Sequence, residues 1–218
     1  YIYNGGGVAA GDVNGDGWVD LFFTGNQVSS RLYLNRGGLR FEDVTEAAGV
    51  GTDRWCTGVA MADVNDDGRL DIYVSVAGFQ VPEARMANLL FINEGWDEAG
   101  IPRFAEQAAA YGLDDRGYST QGAFFDYDRD GDLDCYLLTN AMERYNRNNL
   151  RPKRTNGEAP STDRLYRNEG NGRFTDVSRE AGILIEGYGL GVSIADLDDD
   201  GWPDVYTAND FLSNDLVW

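Results

Sequence analysis

One nonapeptide occurs four times in this chain: DVNGDGWVD at Asp12–Asp20, DVNDDGRLD at Asp63–Asp71, DYDRDGDLD at Asp126–Asp134 and DLDDDGWPD at Asp196–Asp204. Its flanks recur with it. GVAAGD, GVAMAD, QGAFFD and GVSIAD lead into the four copies, and DLFFT, DIYVS, DCYLL and DVYTA follow them. Self-similarity of this kind confines the chain to a repeat architecture, in which a unit buries its faces only against its neighbours. A second unit follows each loop at a variable distance: LYLNRGGLRFEDVTEAAGV from Leu32, LFINEGWDEAGIPRFAEQAAAYGL from Leu90 and LYRNEGNGRFTDVSREAGI from Leu165. Leu216-Val217-Trp218 opens that unit again, so the last repeat is expected to be truncated.

Short runs of Val, Ile, Phe, Tyr and Leu, punctuated by Gly, Asn and Asp, predict strands and leave no room for long helices. Each repeat supplies four: GVAAG, DLFFT, RLYLN and RFEDV in the first, closed by a short Glu-Ala-Ala-Gly turn. The expectation is an all-β fold, a β-propeller of four-stranded blades with about three and a half blades present. Residues 1–218 form one partial propeller in this reading, with repeats at 5–50, 55–113, 119–183 and 189–218. The unbroken apolar runs LFF, IYV and CYLL predict inner strands covered on both faces.

The loop sequence matches D-x-[DN]-x-D-G-x-x-D. Alternate side chains of a tightly curled loop point inward, so oxygens at positions 1, 3 and 5 converge, and the glycine at position 6 permits the turn. An isolated Asn-Gly-Asp-Gly is equally a hairpin turn. Four copies that retain carboxylates at positions 1, 5 and 9 are not explained by turn chemistry, which needs only glycine and asparagine. The candidate ligands are Asp12, Asn14, Asp16 and Asp20; Asp63, Asn65, Asp67 and Asp71; Asp126, Asp128, Asp130 and Asp134; and Asp196, Asp198, Asp200 and Asp204. Position 7 holds Trp18, Arg69, Asp132 and Trp202, unrelated side chains expected to contribute a backbone carbonyl. Cages built only of oxygen select hard cations, and six or seven flexible ligands suit Ca²⁺ better than Mg²⁺, so up to four Ca²⁺, one per loop, are expected. Such sites fill where calcium is near millimolar, which points to an extracellular, cell-surface or periplasmic location.

Composition agrees. Among 218 residues, 37 are acidic and 18 basic, a net charge of −19 that disfavours nucleic acid and anionic membrane surfaces as partners. There is no histidine, which removes imidazole bases, histidine-activated nucleophiles and most zinc or haem sites. No apolar run is long enough to span a bilayer. Cys56 and Cys135 lack metal or redox spacing and sit in apolar runs, so both are expected to be buried free thiols.

DVNGDGWVDLFF together with LYLNRGGLRFEDVTEAAGV resembles the FG-GAP/VCBS repeats of integrin-α-like β-propellers, and specifically the ASPIC/UnbV group of proteins related to cartilage acidic protein. The resemblance implies a seven-bladed propeller with one Ca²⁺ per loop and a non-catalytic role in adhesion, recognition or assembly. Its implied partners are a protein or glycan at the cell surface and the remaining blades of the same protein. No segment resembles the C-terminal module of the ASPIC/UnbV group.

The insertion from Asn140 to Asp163 carries Arg144, Arg147, Arg151, Lys153 and Arg154 on an otherwise acidic chain. It reads either as a loop that contacts a partner or acidic glycan, or as a solvated crossing. Trp18 and Trp202 are expected on one rim, either stacking on sugars or packing on a neighbouring blade. The rival reading is the propeller of a calcium-dependent carbohydrate-active lyase or dehydratase. Nearly every clustered acid is committed to a loop, however, and the unclustered Glu143 and Glu158 lie in the insertion with no evident pocket.

Overall fold

The computed structural model describes residues 5–78, 82–140, 152–210 and 213–218. Four antiparallel sheets follow one another along the chain as blades of a β-propeller, each an up-and-down meander in sequence order. Blade 1 comprises β1 (Val8–Gly11), β2 (Asp20–Phe23), β3 (Arg31–Asn35) and β4 (Phe41–Asp43). Blade 2 comprises β5 (Cys56–Ala62), β6 (Asp71–Val76), β7 (Leu89–Trp96) and β8 (Pro102–Glu106). Blade 3 comprises β9 (Ser119–Phe125), β10 (Asp134–Thr139), β11 (Arg164–Asn168) and β12 (Phe174–Asp176), and blade 4 comprises β13 (Gly189–Ala195), β14 (Asp204–Asn209) and β15 (Leu216–Val217). The acidic nonapeptide is the hairpin between the first and second strands of every blade, so all four loops emerge on the same rim.

The Glu-Ala-Ala-Gly turn is a single helical turn, α1 (Thr45–Ala48), repeated in blade 2 as α2 (Ala108–Tyr111). Each stops at a glycine in the left-handed region, Gly49 at φ 77° and Gly112 at φ 78°, where a side chain would be strained. No helix among the described residues is long and apolar enough to cross a membrane.

The apolar side chains are shared between blades. One cluster joins blades 1 and 2 through Phe22, Leu32, Ile72 and Val74; a second joins blades 2 and 3 through Tyr73, Leu90, Cys135 and Leu137; a third joins blades 3 and 4 through Tyr136, Leu138, Val177 and Val205. Strand alternation explains this. In each second strand, the residue two places after the loop's final aspartate faces the following blade, and its two neighbours face the preceding one. Tyr73 and Tyr136 therefore lie buried at 1% and 0% exposure, whereas the equivalent Tyr206 of blade 4 is 37% exposed. On the other side, Val74 and Leu137 are buried and the equivalent Phe23 of blade 1 is 43% exposed. The expectation that every such strand is covered on both faces holds for β6 and β10, which have neighbours on both sides, and not for β2.

Close approach of neighbouring first strands explains the glycine that opens GVAAG and GVAMA. A Cβ on Gly58 would stand 2.4 Å from the Thr120 carbonyl oxygen of blade 3, and one on Gly7 would stand 3.1 Å from the Gly58 Cα. The same seam is sealed by the Thr57 hydroxyl, which donates to the Ser119 carbonyl at 2.8 Å. Cys56 and Cys135 are buried free thiols in the first and second clusters, as expected. Burial pushes the Cys56 thiol up to about 11 and that of Cys135 higher still, leaving both packed and unreactive.

Candidate metal-binding loops

The four loops share one pattern of hydrogen bonds. At position 1, one carboxylate oxygen of Asp12, Asp63, Asp126 and Asp196 accepts from the amide of Asp16, Asp67, Asp130 and Asp200 at 3.0 to 3.2 Å. The other accepts from Gly17, Gly68, Gly131 and Gly201 at 2.7, 2.7, 3.1 and 2.9 Å. Position 5 in turn accepts from position 7, as Asp16 does from Trp18 at 2.8 Å and Asp67 does from Arg69 at 3.0 Å. The glycines at position 6 lie at φ 84°, 83°, 102° and 88°. Position 4 is left-handed as well, and there the chain places Gly15 but also Asp66, Arg129 and Asp199. The curl thus forces two left-handed residues where the sequence marks only one.

Position 9 braces the backbone on both sides. Oδ2 of Asp20, Asp71, Asp134 and Asp204 accepts from the amide at position 2, that of Val13, Val64, Tyr127 and Leu197, at 3.0, 3.1, 2.9 and 2.8 Å. Oδ1 of Asp20, Asp71 and Asp134 accepts at 2.8 Å from the amides of Asn35, Asn93 and Asn168, the asparagines of the repeated LYxN element. All three of these aspartates are fully buried. The asparagines carry a positioning role that their repetition signalled and that sequence reasoning left unassigned.

The donor set fits a hard cation on a direct observation. Oδ1 of Asn65 and Oδ1 of Asp128, at position 3 of the second and third loops, are buried oxygens that make no hydrogen bond, as is Oδ1 of Asp132, whereas the equivalent oxygens of Asn14 and Asp198 accept from the amides of Asp16 and Asp200 at 3.4 and 3.2 Å. Buried lone pairs without a donor cost about 1–3 kcal/mol each, and a cation supplies what they lack. In the third loop Asp126, Asp128 and Asp130 bring carboxylate oxygens within 4.8 Å of one another, and in the fourth Asp196, Asp198 and Asp204 do the same. In the first loop Asn14 is pinned instead, its Nδ2 donating to Asp16 at 3.1 Å and to the Gly100 carbonyl at 3.0 Å.

The position 7 side chains have distinct tasks. The Arg69 guanidinium binds Asp67 at 2.6 Å and the Asn93 carbonyl at 2.9 Å. Trp18 is exposed and lies near Gly37, and Trp202, also exposed, has Arg129 of blade 3 over its ring at 5.2 Å from the centroid. That cation–π contact joins the third loop to the fourth. A cleft of about 440 Å³ opens between the second and third loops, lined by Asp63, Asn65, Asp66, Asp130, Asp132 and Asn168. Asp163 forms a separate buried group, accepting from the Tyr136 hydroxyl at 2.8 Å and from the Thr139 amide at 2.8 Å.

Burial, the largest cause in each case, lifts the carboxyls of Asp71, Asp132, Asp134 and Asp163 to about 6, and the neighbouring loop aspartates add repulsion at the first three. A folded-state pKa raised above the ordinary 3.8 makes a contribution that is full below that value and lost as pH rises through about 6. In excess chelator, unfolding free energy is therefore expected to fall as pH rises from about 4 to about 7. Calcium held by these carboxylates would reverse the trend in millimolar calcium, because metal ligands must be deprotonated. Urea unfolding at stepped pH with and without EGTA checks this, and two parallel profiles would contradict it.

Arg144, Arg147, Arg151 and Glu143 of the insertion lie outside the described residues. Lys153 and Arg154 are exposed beside the start of the return path, where the Arg154 amide donates to Glu186 at 2.7 Å. Glu158 is hydrogen bonded to Asn156 at 2.8 Å.

Four stacked antiparallel sheets with the same aspartate-rich hairpin on one rim define a β-propeller built from loop-bearing repeats. The family model of the FG-GAP-like repeat matches residues 12–74 and 155–207, more than half of the chain, and the chain belongs to that family. The matched spans include the first, second and fourth loops, and the third lies between them. The chain is also 32% identical over 139 residues to cartilage acidic protein 1 of Mus musculus, a match that covers 62% of this chain and 20% of that protein. The chain thus spans a minor part of the length of the relative it matches.

Proposed function

We propose that each of the four loops holds one Ca²⁺ and that the chain is a calcium-stabilised propeller segment of an extracellular or cell-surface protein. The carrying observation is the set of buried oxygens without a donor at position 3, Asn65 Oδ1 and Asp128 Oδ1, inside loops whose remaining carboxylates are already oriented by backbone amides. The ligand set is Asp12, Asn14, Asp16 and Asp20 with the Trp18 carbonyl, and its equivalents in the other loops, among them the carbonyls of Arg69, Asp132 and Trp202. When bound, the cation supplies charge neutralisation and a fixed loop geometry. The residues themselves hold the rim in register.

The role that fits this arrangement is binding or assembly without catalysis. Two apolar surfaces support assembly with further blades of the same kind. One is formed by Leu21, Phe23, Tyr33 and Phe41 on the outer side of blade 1, and the other by Tyr206 on the outer side of blade 4. The equivalent positions of blades 2 and 3 are buried by a neighbour. A protein or glycan is the partner class, with the rim bearing Trp18 as its contact surface. The cleft between the second and third loops, which carries four carboxylates, is the feature that favours the rival reading as a carbohydrate-active enzyme. Incubation of the protein with immobilised acidic and neutral polysaccharides, in calcium and in EGTA, separates the two. Retention in calcium without released product is expected, and calcium-dependent release of sugar would overturn the non-catalytic reading.

A further inference from the structure

The asparagine of each LYxN element has its polar groups fully committed, and in two blades one of its bonds crosses to the blade before. The Asn93 amide donates to Asp71 Oδ1 at 2.8 Å, and its Oδ1 accepts from Gly95 at 2.9 Å. Its Nδ2 donates to the Leu70 carbonyl of its own loop at 3.1 Å and to the Val13 carbonyl of the blade 1 loop at 2.9 Å. Asn168 repeats this in blade 3, with Asp134, Gly170, Leu133 and, across the interface, the Val64 carbonyl of the blade 2 loop at 3.1 Å. Both side chains are buried.

Each crossing bond ends on a residue whose amide is itself held by a position 9 carboxylate. Val13 donates to Asp20, and Val64 donates to Asp71. A single buried path therefore runs Asp20, Val13, Asn93, Asp71, Val64, Asn168, Asp134, with the last carboxylate of three loops as its nodes.

We propose that Asn93 and Asn168 are positioning residues that couple neighbouring loops, so that a cation in one loop raises the affinity of the next across loops 1 to 3. The coupling rests on the calcium reading above. A cation drawn to Asp71 orients a carboxylate that holds Val64 on one side and Asn93 on the other, and Asn93 fixes the carbonyl of Val13 in loop 1. Ordering one loop thus lowers the ordering cost of the next. Linkage makes the effect reciprocal.

The test reads loop 1 while loop 2 is disabled. Terbium serves as the calcium stand-in, with emission sensitised through Trp18 and Trp96, which both border loop 1; a Cβ on Gly15 would lie 2.9 Å from the Trp96 ring. The background is Trp202→Phe, which silences the indole of loop 4. Asp63→Asn is expected to weaken terbium binding at loop 1 by about fivefold or more, within the usual range of allosteric coupling. In an Asn93→Ala background, Asp63→Asn is expected to leave loop 1 unchanged. Asn35→Ala is the control, since Asn35 Nδ2 reaches only the Val19 carbonyl of its own loop among the described residues. It is expected to preserve the fivefold effect. In a distance-control arm, with Trp202 restored and Trp18 and Trp96 replaced by Phe, Asp63→Asn is expected to weaken loop 4 less than loop 1, because the crossing bonds of loop 2 run to loops 1 and 3.

An indifferent loop 1 with Asn93 intact overturns the coupling while leaving the calcium reading standing, and this comparison does not require Asn93→Ala to fold. Equal weakening of loops 1 and 4 by Asp63→Asn also overturns it, because that pattern reports general loosening. Absence of terbium and calcium uptake by the unaltered chain overturns the calcium reading and the coupling with it.

Discussion

Chelation is expected to lower the melting temperature of this chain by on the order of 20 °C or more. An independent site contributes about 2.7 kcal/mol when free ligand exceeds its dissociation constant a hundredfold, and four sites contribute several times that. At this chain length each kcal/mol moves the midpoint by about 2–4 °C. The physical cause is repulsion among the clustered loop carboxylates. In the third loop, three carboxylates bring oxygens within 4.8 Å of one another, and the basic residue at position 4, Arg129, lies over Trp202 instead. The second loop has internal relief in the Arg69 contact to Asp67, and it is expected to be the least sensitive of the four. Thermal unfolding followed by circular dichroism, in millimolar calcium and then in excess EGTA, measures the shift.

Asp71→Ala is expected to destabilise the chain by about 4 kcal/mol even in EGTA, where no metal term contributes. The carboxylate accepts the amides of Val64 and Asn93, and its loss strands two buried donors at about 1–3 kcal/mol each, with the small remainder from the void left behind. Asp71→Asn is expected to cost roughly half as much in EGTA, since one amide oxygen still accepts while the other bond is lost. In calcium the two variants converge, because Asn removes the charged ligand as surely as Ala does. Urea denaturation in both buffers tests this, and the distinctive result is the buffer dependence of the difference between the two. Full stability of both variants in EGTA would show that position 9 acts only through a metal.

The repeat, the strand order and the position of the loops were legible because each rests on local chemistry that the chain writes several times. Glycine at position 6, carboxylates at 1, 5 and 9, and alternating apolar runs each encode their own geometry within a few residues. Position 9 was legible as an acid and not as a brace. Its partners Asn35, Asn93 and Asn168 stand 15, 22 and 34 residues along the chain, and only the fold brings their amides to Asp20, Asp71 and Asp134.

A second brace was invisible for a different reason. The residue before the third strand is Ser30, Asn88, Asp163 and Asp215, three residue types at one place in the blade. In blade 2 the Asn88 amide reaches the Tyr73 hydroxyl, in blade 3 Asp163 accepts from Tyr136, and in blade 4 Asp215 accepts from Tyr206. Blade 1 has Phe22 where the tyrosine would stand, and Ser30 in place of the longer partner. The pair changes together, and no single column of the repeat displays it. Exposure at Phe23 and Tyr206 was likewise unreadable from β-strand pattern, because a strand's alternation names its two faces without saying which of them has a neighbour.

Cations in the acidic hairpins are proposed to hold the rim together. A crystal structure at high resolution from millimolar calcium tests it most directly. The expected result is anomalous density in all four loops, with oxygens of positions 1, 3, 5 and 9 and the carbonyl of position 7 at about 2.3–2.6 Å from each ion. Loops filled only by water, with Asn65 Oδ1 and Asp128 Oδ1 hydrogen bonded to it, would contradict the account.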